Sequence, residues 1–180
     1  SSDLIIYYRL LVLGGVRMFN IGDKIVYPMH GAGIIEGIEE REILGEKRKY
    51  YIMRLPLGDM KVMIPIDNTE NIGLREIINE EEFETVVSIL KGEKTKMSNN
   101  WNRRYRANMD RIKTGDIYEV AEVVRNLLLL DRDKGLSTGE RKMLNSAKQI
   151  LISEFSLVRN LNEEEAEELI YEMLKEENDV

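Results

Sequence analysis

The sequence predicts an α+β chain in which a small, β-barrel-like antiparallel module is followed by an all-helical bundle. Two observations carry this. From Asn20 to Ile77, short segments rich in Ile, Val, Tyr and Met alternate with Gly- and Pro-containing turns. After Asn79 the apolar residues recur at the three- and four-residue spacing of helices.

Four strands are expected at Lys24–Tyr27, Gly33–Ile43, Tyr50–Leu55 and Lys61–Ile66. Pro28 to Gly31, Leu44 to Lys47 and Pro56 to Asp59 supply the turns between them, and Pro28 and Pro65 blunt strand ends. Four or five strands in so short a stretch suit a small twisted barrel or curled sheet. In the second half, Asn79 with Glu82, Asp116 with Glu119, Ser137 with Glu140 and Asn162 with Glu165 fit capping boxes. Apolar stripes follow each: Phe83 to Leu90, Ile117 to Leu128, Leu144 to Leu151, and Ala166 to Leu174. A further helix is expected from about Asn99 to Lys113, closed by Gly115, with Gly92 to Asn100 as linker. The organisation expected is a β module over 18–78 and a helical domain over 79–180, whose last helix is acidic. Residues 1–17 are read as an upstream or appended prefix, because Met18 opens the pattern that continues through the chain.

Composition narrows the chemistry. The chain has no cysteine, and His30 is its only histidine. Disulfides and thiolate ligands are excluded, and a zinc site or a Ser-His-Asp relay would rest on His30 alone. The carboxylates Glu163 to Glu168 read as the wet face of an amphipathic helix, and Gly31-Ala32-Gly33 as a tight turn without a phosphate-loop signature. The expectation is a soluble binding protein, not an enzyme, with no cofactor and no metal. The apolar run Leu4 to Leu13 is too short to span a membrane.

The net charge of -7 hides an asymmetry. Residues 94–142 hold 12 basic and 7 acidic residues, while 163–180 carry a net of -8. Within the basic middle lies Ser98-Asn-Asn-Trp-Asn-Arg-Arg-Tyr-Arg106, which gathers Arg103, Arg104 and Arg106 around the only tryptophan, Trp101. Arginines grip phosphate through a planar fork, a helix start adds free amides, and an aromatic can stack on a base or wedge between base steps. A second reading stands beside it: Trp101, Tyr105, Met109 and Ile112 fall at core spacing, which would bury the indole and leave the arginines as a solvated face. Arg141 and Lys142, at the helix start capped by Ser137, are either two solvated charges or part of the same phosphate-binding rim.

These residues resemble the CarD/CdnL family of bacterial transcription regulators. Gly22-Asp-Lys-Ile-Val-Tyr-Pro-Met-His-Gly31 is similar to the family's opening, a β module shared with transcription-repair coupling factors. Asn100 to Asn108, Gly115-Asp116 with Val120 to Leu127, and Gly135 to Leu144 are similar to its second half. The resemblance covers Met18 to about Asn160. It implies a Tudor-like, SH3-like barrel that binds the β subunit of RNA polymerase. It also implies a helical domain that contacts promoter DNA largely without sequence specificity and stabilises the open complex. Trp101 is then the wedge at the upstream bubble edge, and Arg103, Arg104, Arg106 and Arg141 hold adjacent phosphates. Arg41 matches a basic position used against polymerase, and Met63 stands where some relatives carry arginine. Such a protein would work in the cytoplasm, on the nucleoid through polymerase. The rival reading from another class is a protein–protein adaptor with Trp101 buried and no DNA contact.

Overall fold

The computed structural model describes residues 18–175; the prefix over 1–17 and the tail beyond Lys175 lie outside the described residues. The fold class is as expected, an antiparallel sheet module followed by helices. The strands are β1 (Lys24–Tyr27), β2 (Gly31–Ile43), β3 (Glu46–Leu55), β4 (Met60–Pro65) and β5 (Arg75–Glu76), in the sheet order β4-β3-β2-β1-β5. A short helix α1 (Thr69–Ile72) separates β4 from β5. The register of β2 against β3 shifts between Ile35 and Gly37, a bulge that bends the sheet. Alternation then sends Ile25, Ile35, Tyr51, Met53, Leu55 and Ile64 into one core with Phe19 and Leu74. Leu44 and Gly45 form the two-residue loop of the β2–β3 hairpin, both at positive φ.

Five helices follow: α2 (Glu80–Lys91), α3 (Trp101–Lys113), α4 (Ile117–Lys134), α5 (Thr138–Arg159) and α6 (Glu163–Lys175). Capping boxes close reciprocally at Asn79/Glu82, Ser137/Glu140 and Asn162/Glu165. Asp116 does cap α4, accepting from the Tyr118 amide. Its expected box partner Glu119 is elsewhere, on the Arg111 guanidinium, because an ion pair to a neighbouring helix outcompetes a local amide. Helix α4 packs against α2, α3 and α5, so its stripe of Val120, Val124 and Leu127 is fully covered. The connection over 93–100 has no regular structure but is pinned: the buried Asn126 side chain accepts from the Thr95 amide and donates to its hydroxyl.

The two parts share a seam. Helix α5 lies against β2. Gly31, at φ 100, allows this approach: a Cβ there would stand 2.5 Å from the Ser153 hydroxyl oxygen. That hydroxyl accepts from the Ala32 amide at 2.8 Å. Beside it, Arg75 of β5 donates through both Nη atoms to Glu154 of α5, at 2.7 and 2.9 Å, and through Nε to the Gly115 carbonyl. Glu154 also accepts from the Ile78 amide, so a fully buried carboxylate has its oxygens satisfied.

Candidate nucleic-acid interface

The starts of α3 and α5 converge, and Trp101 stands where they meet. Asn100 caps α3 by accepting from the Arg103 amide, which places Trp101 at the first helical position. The indole is 42% exposed, so it neither enters the core, as the core-spacing reading required, nor hangs free. Its Nε1 donates to the Ser137 hydroxyl at 2.7 Å, and one face stacks on Tyr105 with centroids 5.3 Å apart. Gly139 lies against it: a Cβ there would stand 3.4 Å from the indole Cζ2, an ordinary contact. The ring is therefore held by polar contact at its nitrogen and by packing on one side, with its remaining surface open.

Beneath it runs a short polar chain. Ser137 donates its hydroxyl to Glu140, and Glu140 accepts from the Arg104 Nε at 2.5 Å. Glu140 is 2% exposed. Burial pushes its carboxyl up, but the Arg104 hydrogen bond, the two from Ser137 and the Arg104 charge outweigh this and hold it below the ordinary carboxylate value. The Arg104 Nη1 donates to the Ser98 carbonyl, closing the linker onto the same network.

The four arginines expected at a phosphate rim thus differ in state. Arg103 and Arg106 are exposed and make no ion pair among the described residues. Arg141 is exposed and pairs with Asp131 at 3.2 Å, a surface contact that a phosphate could replace. Arg104 departs from the expectation: with its side chain 16% exposed and committed to Glu140 and Ser98, it braces the rim from within. The α5 start comes to Trp101 and Arg104, through Ser137 and Glu140. Ser137, Gly139 and Tyr105 were not singled out as site residues. Ser137 was legible as a cap, but its second role toward the indole depends on a contact 36 residues away in sequence.

On the β module, Arg41 is exposed and paired with Glu39 on its own strand. Met63 lies on edge strand β4 opposite Ile52, and is 43% exposed. Arg41 faces Arg48 across the hairpin, and the alternation of β3 places Arg48 and Ile52 on the same face of the sheet. His30 sits in the β1–β2 turn, its ring edge-on to Tyr27, as a turn residue. Among the described residues no helix is long and apolar enough to cross a membrane.

Comparison with known proteins decides the family. Residues 19–78 match the family model of the CarD-like/TRCF RID domain, and residues 85–171 match that of the CarD C-terminal domain. The chain is 43% identical over 148 residues to "Putative transcription factor YdeB" of Bacillus subtilis (strain 168), covering 82% of this chain and 97% of that protein. The chain belongs to the CarD-like family. Its place is accordingly that of a CarD-like transcription regulator. Among solved structures it is similar to the 72-residue N-terminal domain of Myxococcus xanthus CarD, at 30% identity, 33% of this chain, 79% of that one and a TM-score of 0.29. It is also similar to CdnLNt from Myxococcus xanthus, at 44% identity, 35% and 89% coverage and a TM-score of 0.31.

Proposed function

We propose that this CarD-like protein binds the β subunit of RNA polymerase through its β module and stabilises the open promoter complex through its helical domain. Trp101 is the wedge, meeting the upstream edge of the melted bubble. Arg103, Arg106 and Arg141 hold neighbouring phosphates, and Arg104 keeps the wedge's platform rigid. On the β module, Arg41 meets the polymerase with its charge and Met63 with an apolar contact.

One observation carries this reading: a half-exposed indole is fixed at the junction of two helix starts, on a helix that also carries two exposed arginines without an ion pair among the described residues. A ring already held in one orientation loses little freedom on stacking, so more of the contact energy appears as affinity. Helix starts add positive dipole ends to the arginine charges. The net charge of -7 weakens unaided DNA binding. Tethering to polymerase offsets that, with effective concentrations on the order of mM. Phosphate contacts carry no sequence information, which suits action at many promoters.

The test is binding of purified polymerase, alone and on a promoter, by the intact protein, Trp101→Ala and Arg41→Glu. Arg41→Glu should lose polymerase in both settings. Trp101→Ala should keep polymerase and lose only the promoter-dependent gain. Equal promoter-dependent gain by Trp101→Ala and the intact protein would refute the wedge.

A further inference from the structure

Helix α3, which carries Trp101 and its arginines, is fastened differently from the helices beside it. Of its thirteen residues only Asn108 and Ile112 are buried, against nine in α4 and ten in α5, so it places a single apolar side chain fully in the core. Packing of that extent leaves the direction of a helix loosely set, because the hydrophobic effect is non-directional. Polar links supply what is missing.

These links stand at the two ends of the helix. At its start, Trp101 donates to Ser137 and Arg104 to Glu140, at the start of α5. At its far end, Arg111 donates through Nε to Glu119 and through Nη2 to Glu122, both on α4. Arg104 and Arg111 are seven residues apart, which puts them on one edge of α3 and about 10 Å apart along its axis. A rod held at one end swings about it, and a second fixed point sets its direction.

That second point is itself held. Glu122 also accepts from the hydroxyl of Thr95, in the linker that leads into α3, and lies 3.6 Å from the Arg125 guanidinium. Arg125 is buried, and its Nη1 donates to the Ile89 carbonyl near the end of α2. Burial pushes the Glu122 carboxyl up, but the hydrogen bonds from Arg111 and Thr95 and the two arginine charges hold it below its ordinary value. The planar fork of Arg111 thus bridges two carboxylates on one face of α4, spaced three residues apart.

The DNA contacts proposed above differ in what they demand of α3. Attraction between an arginine and a phosphate fades gradually with distance, and a long side chain follows a small tilt of its helix. An indole meeting a base needs surface contact, which the same tilt removes.

We propose that Arg111 is a positioning residue: by bridging Glu119 and Glu122 it sets the direction of α3, and so the placement of the exposed face of Trp101, without touching DNA itself. This rests on the reading of Trp101 as the wedge.

The test is the lifetime of the open promoter complex at equal polymerase occupancy, for the intact protein, Arg111→Met, Trp101→Ala and the double variant. Arg111→Met keeps an apolar stem and removes both arms of the bridge; it should shorten the lifetime about two- to thirtyfold. In the Trp101→Ala background the same change should add less than about twofold, because both act through one contact. Should Arg111→Met be unfolded at the assay temperature, Glu119→Gln, which cuts one arm and leaves Glu122, takes its place in the cycle. If Trp101→Ala shortens the lifetime and the folded Arg111 or Glu119 variant does not, positioning is refuted while the wedge stands. A loss undiminished in the Trp101→Ala background would assign Arg111 to a DNA contact of its own or to the fold at large, and overturns the proposal equally. No effect of Trp101→Ala would remove the wedge reading itself, and this inference with it.

Discussion

Helix α5 carries two buried carboxylates, each gripped by an arginine from another element, and they stand in opposite surroundings. Glu154 holds Arg75 at the seam with the β module, and every contact it makes is internal. Glu140 holds Arg104 and is linked through the Ser137 hydroxyl to the exposed indole, on a helix whose Arg103 and Arg106 are exposed. The chemistry of the two pairs is the same. What differs is whether the surrounding groups are used up by the fold or left facing outward, and that difference separates a strut from the support of an exposed cluster.

Breaking the seam should have the largest effect on stability. Glu154→Ala strands Arg75 and the Ile78 amide, and is expected to cost about 3–5 kcal/mol in denaturant unfolding. A loss below about 1 kcal/mol would mean that the two parts are not clamped there. Gly31→Ala should follow at about 1–3 kcal/mol, from the positive φ and the collision with Ser153. If it unfolds with the midpoint of the intact chain, the close approach of α5 to the turn is wrong.

At the rim the order reverses, with small costs in stability and large ones in binding. Trp101→Ala should cost about 1 kcal/mol, well under the roughly 3–5 typical of a core tryptophan, since its ring is half in water. A core-sized loss would favour the adaptor reading, with the indole as a structural residue. Acid sharpens the comparison further. Glu140 and Glu122 both sit below the ordinary carboxylate value, because hydrogen bonds and arginine charges outweigh their burial. Groups with lowered values contribute stability above the ordinary value and lose it as pH falls through the lowered one. Fluorescence of Trp101, the only tryptophan, should therefore hold steady from neutral pH through the ordinary carboxylate range and change only below it. A change centred near neutrality would contradict the Glu140 network. Least visible of all, Arg103→Ala and Arg106→Ala should stay within about 0.5 kcal/mol of the intact stability. Each should still lower the salt slope of promoter binding by about 0.9.

Local chemistry was legible in the sequence and distant pairing was not. Asn79, Ser137 and Asn162 announce helix starts because a cap and its partner lie three residues apart. Strand β5 has two residues, too few to show any period, and its presence depends on pairing with β1. The cluster around Trp101 was legible, since aromatic and arginine neighbours stand together in the chain. Which arginines are free was not: the partner of Arg104 lies 36 residues on, and only the packing of α3 against α5 brings it near. Gly31 reads as a turn glycine, yet its neighbour Ser153 is a hundred and more residues away, at the other side of the seam.

The lifetime of the open promoter complex, challenged with competitor and followed at saturating protein, puts the whole account at risk in a single comparison. With the wedge worth about 1–3 kcal/mol, the intact protein should prolong that lifetime about five- to 150-fold over Trp101→Ala at equal polymerase occupancy. Indistinguishable lifetimes at equal occupancy would mean that the indole held by Ser137 touches no DNA.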